Sequence, residues 1–422
     1  MSKALQQHLA RRKQGVAAGI YSVCSAHPWV IRAAAEQAVE DGSLLLVEAT
    51  SNQVNQFGGY TGMRPAAFRD FVLEIVKTAG LEPAKLVLGG DHLGPNPWRK
   101  QPAVEAMALA ETMVAEYVAA GFTKIHLDAS MACGDDATHP SDEVVAQRAA
   151  RLCVAAEAAR GAGDAPVYVI GTEVPVPGGA THAVHELPAT STAAAEHTLA
   201  VHKWVFEEQL SGVWERVIAL VVQPGVEFDH DAVVDYDAAK ASELVGWLQA
   251  LPEAIVFEAH STDYQRPQAY VELVRDGFAI LKVGPALTFA MREALEALED
   301  IESQLAGDSR SGLSAAIEET MLREPAEWLP YYASPAAEQK LLRRYSYSDR
   351  VRYYWGRPEI AAAVERLVAN LAEVNIRESM LSRYLPLQYV RLRAGRISGD
   401  SVSLIVDHVR DVLREYAAAC RA

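Results

Sequence analysis

The feature that most constrains the fold is a series of eight short apolar runs, most of which end in acidic, amide, histidine or glycine residues. They span residues 19–24, 44–48, 86–92, 124–128, 167–173, 219–223, 255–260 and 279–284. The stretch between each pair of runs is long enough for a helix. Eight strand–helix units with polar residues at the strand ends are typical of a (β/α)₈ TIM barrel, an α/β fold whose active sites lie at the carboxyl ends of the strands.

The spacing of apolar residues also predicts the barrel helices and a change of architecture. The predicted helices span residues 30–40, 65–78, 103–120, 142–160, 193–209, 238–251, 267–275 and 288–304. After residues 307–312 the strand rhythm stops, and the rest is helical in character and rich in Arg, Tyr and Trp. Because 422 residues exceed what one core usually supports, we predict a TIM barrel over 1–306 and a C-terminal α-helical domain over 307–422.

Charge and composition exclude several classes of protein. The chain carries 39 Lys and Arg against 55 Asp and Glu, a net charge of −16, which disfavours nucleic-acid and anionic-membrane partners. No apolar run approaches the roughly 20 residues of a membrane helix, and the N-terminus lacks a signal-peptide core. The four cysteines contain no Cys-x-x-Cys pair, which is typical of reduced thiols. We therefore expect a cytoplasmic protein that self-associates into an oligomer.

Acidic and imidazole side chains follow several of the predicted strands. Alternate residues of a barrel strand point inward, so His126 and Asp128 share a face of the fourth strand, and Glu258 and His260 share a face of the seventh. The other polar residues at strand ends are Asp91, His92, Glu173, Glu227 and His230. Mixed nitrogen and oxygen ligands at one rim predict a divalent cation, either zinc or manganese. The alternative is that these groups satisfy one another structurally.

Two further features concern the substrate. Lys282 lies inside the eighth strand, where it either forms a Schiff base or pairs with Glu258, and we favour the ion pair. The loop over residues 50–60 is dense in amides and hydroxyls, so Asn52, Gln53 and Gln56 are candidates for binding sugar hydroxyls. That loop can equally satisfy its own polar groups.

Phosphate has its own candidates. The usual position in a TIM barrel follows the eighth strand, at the backbone amide of Gly284. Arg310, Arg350 and Arg352 can add positive charge, and we take Arg350 as the substrate-binding arginine; surface ion pairing is the alternative. The chain has no G-x-x-x-x-G-K-[ST] motif and no G-x-G-x-x-G motif after a strand. Hence we expect no nucleotide cofactor and no kinase activity.

Long motifs of this chain resemble a known family. They lie at residues 24–28, 48–63, 89–96, 126–131, 171–179, 223–230, 258–264 and 345–355. They resemble the GatZ/KbaZ family, the so-called non-catalytic subunits of class II D-tagatose-1,6-bisphosphate aldolase, over essentially the whole chain. The resemblance implies a role in tagatose and galactitol metabolism. It leaves two alternatives: a subunit that supports a separate aldolase catalytic subunit, or a ketose or ketose-phosphate 4-epimerase that acts alone.

A more distant resemblance suggests site residues. Asp91 and His92 look like the Asp–His pair of catalytic class II aldolases, in which the Asp is the acid/base and the His binds metal. His260 looks like their metal ligand on the seventh strand. Their remaining histidine aligns near Phe228, so the chain departs from that pattern, and Glu227 or His230 would have to replace it.

The resemblance and the strand-end residues together lead to a mechanistic hypothesis. C4 of a 2-ketose is not adjacent to the carbonyl, so simple proton abstraction cannot invert it, whereas cleavage of C3–C4 and re-addition to the other face can. We assign metal binding to His92, Glu227 and His260. Acid/base roles fall to Asp91, Asp128 and Glu173, and His126 is assigned to substrate binding.

Overall fold

The structure is a computed structural model that describes residues 2–136, 140–171, 187–305, 307 and 309–421. Eight parallel strands form a closed barrel in which each strand pairs with the next in sequence. They are β1 (Ile20–Val23), β2 (Leu45–Thr50), β3 (Leu86–Leu93), β4 (Lys124–Leu127), β5 (Val167–Ile170), β6 (Val217–Val221), β7 (Val256–Ala259) and β8 (Phe278–Val283). β8 closes on β1, where Ile280 lies opposite Ile20. The predicted TIM barrel is confirmed.

A helix follows every strand, as the apolar spacing predicts. The helices are α1 (Ser2–Ala10), α2 (Pro28–Asp41), α3 (Pro65–Thr78), α4 (Ala103–Ala119), α5 (Asp142–Ala159), α6 (Thr192–Gln209), α7 (Ala238–Ala250), α8 (Pro267–Asp276) and α9 (Pro285–Leu305). Several begin with proline, whose fixed φ and missing N–H suit the first turn. α2 ends at Asp41 and is capped by Gly42, whose φ of 65° lies in the left-handed region that glycine adopts without strain. No helix of the described residues has the length and apolarity needed to cross a membrane.

The barrel interior is apolar at its amino-terminal end and charged above it. Leu46, Val87 and Ile280 belong to a buried cluster that Leu5 and Leu9 of α1 complete from below. α1 therefore plugs the bottom of the barrel. Inward positions nearer the carboxyl ends of the strands carry charged groups where most TIM barrels use branched aliphatic residues.

The C-terminal region is helical and is packed against the barrel. It contains α10 (Leu313–Arg323), α11 (Ala336–Tyr345), α12 (Pro358–Ala372), α13 (Glu378–Tyr384), α14 (Pro386–Arg393) and α15 (Ser401–Cys420). α15 contacts α2, α8 and α9, and the buried Tyr416 hydroxyl donates to the Thr262 carbonyl oxygen at 2.9 Å. One buried core includes residues of both parts. The helical C-terminal region is as predicted, while the division into domains at residue 307 stays a prediction.

Candidate active site

Four charged side chains form a buried layer across the barrel interior. Lys124 Nζ lies 2.5 Å from Glu48 Oε1 and 2.6 Å from Glu258 Oε2, and all three side chains have no exposed surface. Lys282 Nζ pairs with Glu48 and lies 3.9 Å from Glu258 Oε1. Gly89 faces this layer because a Cβ there would lie 2.7 Å from Glu48 Cγ. Buried charges require such pairing, so we expect this layer to be rigid.

Asp91 stands directly above the charged layer. Its Oδ1 lies 3.0 Å from Lys282 Nζ and 3.0 Å from His126 Nδ1. Burial raises the pKa of Asp91, but Lys282 and the neighbouring imidazoles outweigh that effect and hold the pKa well below its usual range. Asp91 is therefore a carboxylate at neutral pH. For Lys282, the ion-pair alternative agrees with the structure, with Glu48 and Asp91 as closer partners than the expected Glu258.

His92 is held in place by a carboxylate and by an uncommon backbone conformation. Its φ is 48°, a value that non-glycine residues adopt rarely and mostly where the surrounding structure requires it. Its Nδ1 donates to Asp128 Oδ2 at 2.7 Å, while Asp128 Oδ1 accepts from the Ser130 amide at 3.2 Å and hydroxyl at 2.9 Å. Both oxygens of Asp128 are thus occupied. The acid/base assignment for Asp128 does not suit this geometry, which makes Asp128 the group that orients His92.

Three imidazoles share one arrangement around Asp91. His92 bonds to Asp128, His126 Nε2 donates to the Gly171 carbonyl at 3.0 Å, and His260 Nε2 lies 3.1 Å from Glu258 Oε1. For His92 and His260, an oxygen acceptor on one ring nitrogen fixes the tautomer and leaves the other nitrogen available to a cation. The second nitrogen of His126, Nδ1, instead accepts from the His92 amide at 3.3 Å and lies 3.0 Å from Asp91 Oδ1.

The four side chains also meet the spatial requirement of a metal site. Ligand atoms of Asp91, His92, His126 and His260 all lie within 4.8 Å of one another. Two atoms that bind one zinc ion at about 2.1 Å are at most about 4.2 Å apart, so any pair that exceeds this separation has to contract by no more than about 0.6 Å to share one ion. The donor set and its supporting acceptors therefore fit zinc or manganese. Burial lowers the pKa of His260 to about 4, so that imidazole is neutral and available as a ligand.

The structure changes the expected ligand set after β6. Glu227 is not part of the Asp91 cluster; it begins a short hairpin, Glu227–Phe228 paired with Val233–Val234, and its Oε1 accepts from the Phe228 amide at 3.0 Å. His230 bonds instead to Ser346 Oγ at 3.1 Å. His126, which was expected to bind substrate, lies in the Asp91 cluster. Glu173 lies outside the described residues.

The amide-rich loop after β2 mainly satisfies its own polar groups. Gln53 Oε1 accepts from the Thr50 amide at 2.8 Å, and Gln56 Nε2 donates to the Leu109 carbonyl of α4 at 3.0 Å. The Gln56 amide nitrogen is thus directed at a helix, while its Oε1 is buried with no hydrogen-bond partner in the described structure. Gln53 also lines a cavity at the barrel mouth, and Asn52 is half-buried. Of the three predicted amides, only Gln53 is placed beside that cavity.

The two expected phosphate contacts are already occupied. The Gly284 amide donates to Asp263 Oδ1 at 3.0 Å. Arg350 is buried, its guanidinium carbon lies 3.5 Å from the centre of the Tyr331 ring, and its Nε donates to the Glu327 carbonyl at 2.5 Å. Both are structural contacts. The neighbouring Arg352 lines the cavity instead.

The sequence prediction also missed Glu48 and Lys124. Glu48 lies in the strand Leu45–Thr50 and Lys124 in the strand Lys124–Leu127, both of which are buried along nearly their whole length. A charged residue inside such a strand is the signal that could have identified them. Both side chains have no exposed surface, a state that lysine and glutamate almost never reach unless they are paired.

Comparison with known proteins identifies the family of this chain. Residues 5–421 match the family described as D-tagatose-1,6-bisphosphate aldolase subunit GatZ/KbaZ-like. The chain is similar to a probable tagatose 6 phosphate kinase from Sinorhizobium meliloti 1021, with 49% identity and a TM-score of 0.89 over 95% of this chain and 100% of that chain. A fructose-bisphosphate aldolase from Campylobacter jejuni is more remote, with 12% identity and a TM-score of 0.46 over 87% of this chain and 91% of that chain. The YdjI aldolase from Escherichia coli K12 has 9% identity and a TM-score of 0.43 over 88% of this chain and 97% of that chain. The resemblance seen in the sequence motifs is therefore confirmed, and the chain belongs to the GatZ/KbaZ-like family.

Proposed function

We propose that this protein is a metal-dependent 4-epimerase of D-tagatose 6-phosphate that works by retro-aldol cleavage and re-addition. The observation that carries the proposal is the cluster of Asp91 with three buried imidazoles, each of which is bonded to an oxygen through one ring nitrogen. His92, His126 and His260 would hold zinc or manganese. Such a cation, when bound, supplies Lewis-acid polarisation of the substrate carbonyl.

Asp91 is the group that this arrangement supplies for proton transfer. Lys282 at 3.0 Å keeps it ionised, so it can accept the C4 hydroxyl proton as C3–C4 breaks and return it after the aldehyde fragment presents its other face. Glu48 and Glu258 in turn fix Lys282 from below. Glu173 remains a proposed additional acid/base, and Gln53 a proposed contact to sugar hydroxyls.

The experiment uses the purified chain with zinc or manganese and D-tagatose 6-phosphate, with product identified by NMR. We expect formation of fructose 6-phosphate, loss of activity on chelation, and a fall of roughly 10²- to 10⁴-fold in Asp91→Asn. Asp136→Asn is the matched control, because Asp136 pairs with Arg148 and the Cys133 amide, away from the cluster. Full activity of the Asp91→Asn protein would refute the assignment.

The second candidate is an accessory subunit of a class II aldolase, and the description of the family favours it. In that case the chain alone gives no turnover with either metal, yet it raises the activity of an added aldolase catalytic subunit. ATP should give no phosphorylated product under either alternative, since the sequence has no phosphate-loop motif. We also propose a cytoplasmic, oligomeric protein, in line with four free cysteines.

A further inference from the structure

A cavity of about 350 Å³ lies between the barrel mouth and the helical C-terminal region. Cys24, Gln53 and Gly284 line it from the barrel side, and Arg352 and Trp355 from the other. Its size falls within the range of small-molecule sites. Cys24 Sγ is within 4.8 Å of carboxylate oxygens of Glu48 and Asp91, so the cavity reaches the proposed catalytic cluster.

Arg352 has hydrogen-bond donors to spare. Nη1 donates to the carbonyl oxygens of Ser348 and Asp349, and Nη2 donates to the Tyr353 hydroxyl at 3.0 Å. A guanidinium has five N–H groups, so Nε–H and one Nη2–H have no acceptor in the part of the chain that the structure describes. No carboxylate among the described residues forms an ion pair with Arg352, unlike Arg357, whose Nε lies 2.9 Å from Glu324 Oε2.

Trp355 presents a second donor without an acceptor. Its side chain is 8% exposed, and its indole Nε1 is buried with no hydrogen-bond partner in the described structure. An unpaired buried N–H costs roughly 1–3 kcal/mol, so buried polar groups without a partner are rare and call for a physical reason. Two neighbouring donors without acceptors call for a ligand rich in acceptor oxygens.

The acidic groups around the cavity are already engaged. Asp263 accepts from the Gly284 and Ala286 amides. Asp349 accepts from Thr288 and Arg292. Burial raises the pKa of Tyr353, but Arg352 and Arg350 outweigh it and lower the pKa below its usual value. Arg352 therefore brings to the cavity a positive charge that no carboxylate of the described residues pairs with.

We propose that this cavity binds the phosphomonoester of the substrate, with the Arg352 guanidinium and the Trp355 indole N–H as donors to its oxygens. The planar guanidinium suits two phosphate oxygens at once. The helical C-terminal region would thus select phosphorylated ketoses, whereas the barrel carries out the chemistry. The identity of the rest of the ligand rests on the proposed epimerase function, but phosphate binding itself does not.

The test measures binding by calorimetry for D-tagatose 6-phosphate, free D-tagatose and inorganic phosphate. In Arg352→Met we expect the affinity for D-tagatose 6-phosphate to fall roughly 10- to 100-fold, which is the scale of a charge-assisted hydrogen-bonded pair. Affinity for free tagatose should change less than threefold. Arg357→Met is the matched control, since Arg357 lines the same cavity but is already paired with Glu324.

The binding measurements distinguish the proposal from its alternatives. Equal binding of D-tagatose 6-phosphate by the wild type and Arg352→Met, or no competition by inorganic phosphate, overturns the proposal. A carboxylate-bearing sugar that binds where phosphate does not would also overturn it. If Arg352→Met does not fold, Arg352→Lys decides, because lysine keeps the charge without the planar fork and should give an intermediate loss. Phosphate binding without turnover would refute only the epimerase function.

Discussion

Replacing Asp128 by asparagine tests whether the histidine cluster is a metal site. Asp128 bonds to His92 Nδ1 through one oxygen and to the Ser130 amide and hydroxyl through the other. An asparagine has a single oxygen, so it cannot accept from both His92 and the Ser130 amide. It also removes the negative charge that supports the imidazole.

The size of the effect follows from this geometry. Loss of a carboxylate that orients a metal-binding histidine typically lowers metal affinity 10- to 100-fold, which corresponds to roughly 1.4–2.7 kcal/mol. Burial lowers the pKa of His92, but Asp91 and Asp128 outweigh it and raise the pKa. Protons therefore compete with metal below the pKa of His92, and we expect this competition to move to lower pH in Asp128→Asn.

The assay is chelator-competition titration of zinc and manganese across pH, with Asp136→Asn as control. Asp136 is a carboxylate in the same β4–α5 connection that also accepts from a backbone amide, at Cys133, but it lies outside the cluster. Metal affinity in Asp128→Asn within twofold of that of the control would show that the cluster does not bind metal through His92.

Two further predictions concern the buried charges. In Lys124→Met, Glu48 and Glu258 lose a shared cation, so we expect the free energy of unfolding to fall by about 3–5 kcal/mol. For a chain of 422 residues this corresponds to a melting temperature lower by about 4 °C. The double variant Lys124→Met/Glu258→Gln should recover part of the loss, and unchanged melting of the single variant would contradict this reasoning. Burial raises the pKa of Glu227 to about 7, which is above the unfolded value, so its contribution to stability is present at acidic pH and is lost as pH rises through 7. At pH 8 the free energy of unfolding of Glu227→Gln, measured by denaturant titration, should therefore exceed that of the wild type by up to about 3 kcal/mol. At pH 4 the two free energies of unfolding should be equal, and the same difference at both pH values would count against this reasoning.

The sequence placed the polar groups at the right strand ends but could not assign their partners. Inward-facing parity depends only on the two-residue repeat of a strand, and it correctly puts His126 and Asp128, and Glu258 and His260, on shared faces. Whether Asp128 meets substrate or His92 depends on the turn at His92, whose φ is 48°. That conformation is stabilised by neighbours distant in sequence, so no local pattern predicts it.

Local periodicity determined the barrel, because the repeats of strands and helices depend on neighbouring residues in the sequence. The charged layer arose only when the barrel closed, since Glu48 and Lys124 are each in register with Gly89, on opposite sides of β3. Arg350 and Arg352 lie in one short helical turn, Arg350–Tyr353, and only the packing of that turn on the barrel decides which guanidinium faces the cavity. Such side-chain partners come from segments that are distant in sequence, so they are determined only when the barrel closes and the helical region packs on it.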